Sequence, residues 1–189
     1  ALTAVSAHDA RLHAEVTDGP VLIGSDCHYW PGLVTTAQKG FLKFIRDLKP
    51  KMVILNGDVI DGATISRFAP IAWEDRPKLI EEIDAAKERL AEIEDAAGFR
   101  ARLVWSLGNH DARFETRLAS VAPEYAQVHG VHLKDHFPRW EPCWSIWING
   151  NVVVKHRFRG GIHATHNNTL WSGKTILTGH LHSLQVRPF

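Results

Sequence analysis

The sequence predicts an α/β fold, and three features of its hydrophobic pattern lead to that prediction. Short apolar runs rich in β-branched residues are typical of buried strands and occur at 21–25, 52–55 and 103–107. Segments 35–48 and 75–97 lie between them and repeat apolar residues at helical spacing. In the second half, runs 144–148 and 152–155 flank Asn149-Gly150, a strong signal for a two-residue hairpin. The pattern therefore predicts a mostly parallel sheet followed by antiparallel strands.

The predicted helices have recognisable ends. Pro50 stops the first helical pattern, and Gly98 is placed to end the second. The second helix is the clearest element, because one face is apolar and charged residues occupy the opposite face. A last short strand is predicted at 174–178.

Length and composition limit the protein class. The 189 residues suit a single domain spanning 1–189. Cys27 and Cys143 are too few for a disulfide framework, so we expect a reducing, cytoplasmic location. No segment approaches the ~20 apolar residues that cross a bilayer, and we expect no membrane partner. Twelve His residues are an unusual number, and imidazole is the commonest protein ligand of transition metals.

Charge gives little guidance about partners. The formal net charge is +1, with basic and acidic residues interspersed, so no single-sign field is expected to hold a polyanion. Nucleic acid stays open as a substrate, but charge does not argue for it. The basic run 155–159 is a hint in that direction, for which an exposed basic turn is the ordinary explanation.

Polar clusters follow four of the predicted strands. They are Asp26-Cys27-His28, Gly57-Asp58-Val59-Ile60-Asp61, Gly108-Asn109-His110-Asp111 and Gly179-His180-Leu181-His182, with His156 directly after the hairpin. Ligands of open α/β sheets bind beyond the carboxyl ends of the strands, so clusters that are distant in sequence converge on one crevice. We therefore expect one shared site.

The residue types in these clusters suit an open catalytic metal site. Carboxylate, imidazole and amide oxygen bind Mn, Fe, Zn or Mg, whereas structural zinc prefers thiolates. An extended backbone would point Asp26 and His28 to the same side, with Cys27 packed on the other as a small hydrophobic residue. Glycines precede three candidate ligands, where a tight turn or a close backbone approach is expected. Asp61 is expected to accept a bond from a ligand His rather than to bind metal.

These motifs, in this order, resemble the whole motif series of the calcineurin-like metallophosphoesterases, from about residue 21 to 182. The resemblance implies mixed β-sheets in a sandwich flanked by helices, with the metal site at the C-terminal ends of the strands. It implies a first metal ion held by Asp26, His28, Asp58 and His182. Asp58 would bridge to a second ion held by Asn109, His156 and His180.

The resemblance also implies a metal-dependent hydrolase of phosphoric esters. Two divalent ions, with Mn2+ expected and Fe, Zn or Mg as alternatives, would activate a water for direct attack on a phosphomonoester or phosphodiester. His110 would face the scissile phosphate, oriented by Asp111. The alternatives are a nuclease of the same superfamily and a non-catalytic metal-binding scaffold. A scaffold should lack a ligand or His110, and neither is missing.

Two departures from the family pattern are present. Arg157 follows His156 where the family commonly has a small residue, so His163 and His166 are rival ligands. The chain also ends soon after the last motif, and a truncated or incomplete C-terminus is expected.

Several neighbouring residues have two interpretations. Arg113 is either a phosphate clamp or an ion-pair partner of Glu115 or Asp111. Tyr29 and Trp30 either wall the pocket or pack in the core. Surface or locally hydrogen-bonded positions are expected for the His residues outside the motifs, namely His8, His13, His129, His132 and His136.

Overall fold

Two four-stranded β-sheets pack face to face, with helices covering the outer face of the first sheet. The computed structural model describes residues 8–188. In the first sheet the strands are all parallel and lie in the order β2 (Val21–Gly24), β3 (Met52–Asn56), β4 (Arg102–Ser106) and β5 (Glu141–Cys143). The second sheet has the order β1 (Leu12–Ala14), β6 (Ile146–Ile148), β7 (Val152–Val154) and β8 (Thr175–Leu177). This arrangement confirms the predicted α/β fold with two sheets and flanking helices.

The helices connect the strands and end at recognisable signals. They are α1 (Thr36–Leu48), α2 (Leu79–Ala97), α3 (Asp111–Val121), α4 (Leu133–His136) and α5 (Ala164–Ser172), with a 3₁₀ turn at Pro123–Tyr125. The Thr35 side chain caps α1 by accepting a hydrogen bond from the Gln38 N–H at 3.1 Å. The α2 helix begins four residues later than predicted, at Leu79, because the Lys78 N–H bonds Glu81 at 2.8 Å and starts the first turn there.

Alternation along the first sheet separates two hydrophobic cores. Val53 and Leu55 of β3 join the core beneath α1 and α2, where Leu90 and Ile93 are buried. The intervening residues of the same strand pack instead between the sheets, against residues of β6 and β7. Successive strand residues point to opposite faces, so a strand buried on both sides needs the continuous apolar run that the sequence shows.

The second sheet differs in part from expectation. The predicted hairpin is present as an antiparallel β6–β7 pair, but β1–β6 and β7–β8 are parallel. Ile148 pairs with Val152, so the connecting loop contains three residues rather than two. Asn149 and Gly150 take the positive φ values, 50° and 68°, that such a turn requires. None of the helices within residues 8–188 is long and apolar enough to span a membrane.

Candidate metal centre

The strand ends of both sheets meet at an open pocket of about 560 Å³. Its lining residues come from four separate motifs and are His28, Asp58, Asp61, His110, His180 and His182. The β2 and β3 loops are joined by backbone hydrogen bonds, from Asp26 N–H to Gly57 O at 3.0 Å and from His28 N–H to Asp58 O at 2.9 Å. The predicted convergence of distant polar clusters is therefore present.

One group of potential ligands combines Asp26, His28 and His182. A ligand atom from each lies within 4.8 Å of the others. Nε2 of His182 is 3.1 Å from Oδ1 of Asp26. The Asp26 carboxylate also accepts hydrogen bonds from the His180 N–H, at 3.0 and 3.1 Å, which fix it against the last motif.

A second group, more deeply buried, combines Asp58, His156 and His180 within the same 4.8 Å limit. Nε2 of His156 lies 3.0 Å from Oδ2 of Asp58, and Nε2 of His28 lies 3.9 Å from that same oxygen. The other oxygen, Oδ1, accepts the His110 N–H at 2.8 Å. Oδ2 of Asp58 therefore faces ligands from these two groups. A third group, His28, Asp61 and His110, meets the same 4.8 Å limit.

The donor set fits a metal centre because several buried ligand atoms lack a partner. Among the described residues, the buried atoms without a hydrogen bond include three of candidate ligands, namely Nε2 of His28, Oδ1 of Asn109 and Nε2 of His156. Buried polar atoms without a partner destabilise a fold unless a ligand or ion satisfies them. The opposite ring nitrogens are engaged, since Nδ1 of His28 bonds Asp61 at 3.1 Å and Nδ1 of His156 donates to Asn56 O at 2.7 Å. This arrangement leaves each Nε2 free as a metal ligand.

The backbone at these residues is unusual. Five of the candidate ligands have positive φ values, namely Asp26 at 55°, His28 at 42°, Asp58 at 51°, His180 at 73° and His182 at 49°. The expectation that an extended backbone points Asp26 and His28 the same way is therefore wrong. Their ligand atoms meet because tertiary hydrogen bonds hold each residue in the left-handed region. Such strain concentrates at functional sites.

Two glycines of the motifs are required by close packing. A Cβ on Gly108 would clash with the Asp58 carboxylate, and one on Gly57 would clash with the His156 ring. The predicted close approach at these glycines is present, and any side chain there would displace a candidate ligand.

His110 is held by Asp61, which corrects the expectation that Asp111 orients it. Nδ1 of His110 lies 2.9 Å from the Asp61 carbonyl oxygen and 3.0 Å from its Oδ1. Arg113 donates to the same carbonyl at 2.7 Å, and its Nη2 lies 3.1 Å from Nε2 of His110. Arg113 is therefore part of the site, and these bonds differ from both the phosphate contact and the ion pair considered from sequence.

Asp111 instead joins the second and third motifs. It is buried in the interior, at the start of α3. Its carboxylate accepts five hydrogen bonds, from the N–H groups of Asp58, Val59, Ile60 and Gly108 and from the Trp105 indole. Because these partners lie in two different strand-end loops, Asp111 fixes the position of one loop against the other.

Comparison with known proteins agrees with this geometry. Residues 19–184 match the family described as Calcineurin-like phosphoesterase. The chain belongs to that family. No curated protein and no solved structure matches the chain. Calcineurin-like phosphoesterases typically carry a binuclear metal centre, and the His and Asp groups described above are consistent with one.

The charges of the site suit cations, as a calcineurin-like phosphoesterase requires. Burial opposes ionisation of Asp58, but the nearby His156 ring and the His110 N–H lower the pKa of its carboxyl. Hydrogen bonds from His110 and His28 hold the pKa of Asp61 well below its usual range. Both side chains are therefore carboxylates at neutral pH.

The structure also separates His156 from its rivals. His156 is buried and belongs to the second ligand group, whereas His163 precedes α5 and His166 is exposed on that helix. Neither rival occurs in a ligand group among residues 8–188. Tyr29 is a core residue and donates from its hydroxyl to Gln38 at 2.8 Å, so the core interpretation holds for it.

Most of the remaining His residues have partners away from the site. His132 and His136 bond the carbonyl oxygens of Ala126 and Gly130, as expected for local contacts. His8 is buried and lies 2.6 Å from Glu115, a distant partner that sequence did not indicate. Cys27 is a free thiol whose pKa burial raises to about 12, which agrees with its interpretation as a packed hydrophobic residue.

Proposed function

We propose that the chain hydrolyses phosphomonoesters or phosphodiesters with two divalent metal ions. Asp26, His28, Asp58 and His182 would hold the first ion, and Asp58 would bridge to the second. The further ligands of the second ion would be Asn109, His156 and His180. Mn2+ is the proposed species, with Fe, Zn or Mg as alternatives, because the donors are nitrogen and oxygen without thiolate.

The observation that carries this proposal is the set of buried ligand atoms without partners. Nε2 of His28 comes from one ligand group and Nε2 of His156 from the other. Oδ1 of Asn109 is also unpaired and directly follows Gly108, which packs against the Asp58 carboxylate. Oδ2 of Asp58 lies near both ring nitrogens, at 3.9 and 3.0 Å. A cation on each side of this oxygen would satisfy the two ring nitrogens.

The chain's own residues have distinct roles in the proposed reaction. When bound, the two ions supply an activated water and positive charge to the phosphate. Asp61 accepts from Nδ1 of His110, and Nε2 lies 3.9 Å from Oδ2 of Asp58, where the protonated ring would give a proton to a leaving oxygen. Arg113 contacts that nitrogen and supplies positive charge beside it. Asp111 keeps Asp58 and His110 in register through the backbone.

Two further proposals concern the whole chain. The family match over 19–184 and the shared cores of the two sheets support a single domain. Both cysteines are free, which supports a reducing compartment such as the cytoplasm.

The function is tested by loading the protein with Mn2+, removing excess ion and measuring bound metal beside turnover of an aryl phosphomonoester and an aryl phosphodiester. We expect two ions per chain and metal-dependent hydrolysis of at least one ester. Asp58→Asn should abolish turnover, whereas Asp18→Asn, at an exposed position paired with Lys51, should not change it. Metal-independent hydrolysis, or no hydrolysis with two ions bound, would contradict the proposal.

A further inference from the structure

The charges of this protein are segregated along the chain, contrary to the interspersed distribution inferred from composition. Residues 142–189 carry five Lys and Arg residues and no Asp or Glu, so the preceding part has a net negative charge. This segment forms β6, β7, β8 and α5, which is most of the second sheet and its covering helix. The segment therefore carries a local excess of positive charge, which favours a polyanionic ligand there.

The basic residues of this segment are interleaved with aromatic rings. The Arg159 guanidinium carbon lies 4.2 Å from the centre of the Trp171 ring. Lys155 and Arg159 approach Phe158 at 5.6 and 5.9 Å. Trp171 is 63% exposed and Phe158 is 38% exposed, so each ring keeps exposed surface beside its cation. We call Lys155, Arg157, Phe158, Arg159 and Trp171 the basic face.

The neighbouring strands extend the same pattern. Trp147 pairs with Val153, and Val153 pairs with Ile176, so these residues lie on one face of the second sheet. The guanidinium of Arg11 lies 4.3 Å from the Trp147 ring, and Nζ of Lys174 lies 5.5 Å from it. Five of the described cation–aromatic contacts therefore belong to this side of the protein.

The basic face adjoins the metal centre. Lys155 and Arg157 flank His156, whose ring is buried against Asp58 while Arg157 is exposed. The loop is fixed rather than free, because the Arg159 N–H bonds the buried Asn168 side chain of α5 at 2.9 Å. The basic face therefore begins beside a candidate ligand of the metal centre.

We propose that the basic face binds single-stranded nucleic acid and presents its phosphodiester to the metal centre. Cations contact the phosphates of such a strand while unpaired bases stack on exposed aromatic rings, and this face provides both. An acidic peptide or an anionic membrane would need the charges but would make no use of flat rings alternating with them. The inference rests on the proposed phosphoesterase function and names its substrate class.

The test measures binding of a fluorescent single-stranded 20-mer of thymidylate by anisotropy, in EDTA so that no hydrolysis occurs. If Lys155, Arg157 and Arg159 each contact one phosphate, the slope of log Kobs against log salt should be about −2. Raising salt from 50 to 200 mM should then weaken binding about 18-fold. A duplex of the same length should bind more weakly, because its bases cannot stack on the protein.

Variants locate the binding surface. Arg157→Gln with Arg159→Gln should make the salt slope shallower by about 1.4, whereas Lys39→Gln with Arg46→Gln, on exposed α1 positions, should leave it unchanged. Trp171→Ala should weaken single-strand binding about 5- to 150-fold and leave duplex binding nearly unaffected.

Three results would overturn the inference: no salt-dependent binding, tighter binding of duplex, or equal loss in the α1 control. Thermal unfolding of each variant identifies any that misfold. If the variant Arg157→Gln with Arg159→Gln misfolds, Trp171→Ala still tests the binding surface. Because the binding assay contains no metal, a lack of oligonucleotide binding would not count against the proposed ester hydrolysis. Failure of hydrolysis with intact oligonucleotide binding would instead remove the phosphoesterase proposal.

Discussion

Asp111→Asn distinguishes a carboxylate that fixes the loops of the metal centre from one that acts through His110. The substitution keeps the size of the side chain and replaces one oxygen by an NH2 group. Burial raises the pKa of the Asp111 carboxyl, but all five of its partners are N–H donors. The proton of a neutral acid would find no acceptor there, so the wild-type side chain is taken as ionised.

The magnitude follows from the two sets of donors. Oδ2 accepts three hydrogen bonds and Oδ1 accepts two, from Val59 and Ile60 at 2.9 and 3.3 Å. The amide oxygen can replace Oδ2, but the NH2 group then faces two N–H groups and loses both bonds. Hydrogen bonds to a charged group contribute about 1.5–3 kcal/mol each, so unfolding should become easier by about 3–6 kcal/mol. For a chain of this size the melting temperature should fall by roughly 6–24 °C.

The assay compares thermal unfolding with turnover for Asp111→Asn and for Asp61→Asn as the matched control. Asp61 is only partly buried and contacts the rings of His28 and His110, so its substitution should lower kcat with a small change in melting temperature. The opposite pattern would refute the reasoning. If Asp111→Asn had the melting temperature of the wild type and lost activity as Asp61→Asn does, the Asp111 carboxylate would act on His110 after all.

Three other predictions concern the metal centre. Asp58→Asn should lower the occupancy of both ions together in elemental analysis, and retention of one ion at full occupancy would disprove the bridge. His156→Ala should remove the second ion while His166→Ala keeps two, and the reverse result would make His166 the ligand. His110→Ala should keep its metal and lose about 10²- to 10⁴-fold in kcat, less on an aryl ester than on an alkyl ester, whose leaving oxygen is more basic. Loss of metal from this variant would show that His110 is a ligand.

The strands that carry the site were predictable because they are buried on both faces. A run such as 52–55 must be apolar throughout when helices pack on one side and a second sheet on the other. The strands β1 and β5 were not predicted. Each has three residues, and β5 contains Glu141 and Pro142, so their extended conformation depends on pairing with β6 and β4.

The convergence of the candidate ligands was predictable, but the hydrogen bonds that these side chains make to other residues were not. Motif order placed Asp58 and His110 at neighbouring strand ends, and the structure brings them within 2.8 Å. Sequence proximity suggested that Asp111 would serve the adjacent His110. In α3, however, Asp111 points back into the interior while Asp61 reaches His110 from another loop. Which carboxylate contacts the His110 ring depends on how α3 packs against the rest of the fold, and a local sequence pattern does not predict that packing.

The backbone of the ligands explains why local reasoning fails at this site. Side chains rarely occupy positive φ, and each strained residue costs about 1–3 kcal/mol, so five of them cost an amount comparable to the net stability of a typical domain. Contacts between motifs must offset that strain, as the bonds from Asp26 N–H to Gly57 and from His180 N–H to Asp26 do. The ligand geometry is therefore a property of the assembled fold. A cation bound by the unpaired ligand atoms would also help to offset this strain, because a ligand that binds only the folded state stabilises that state.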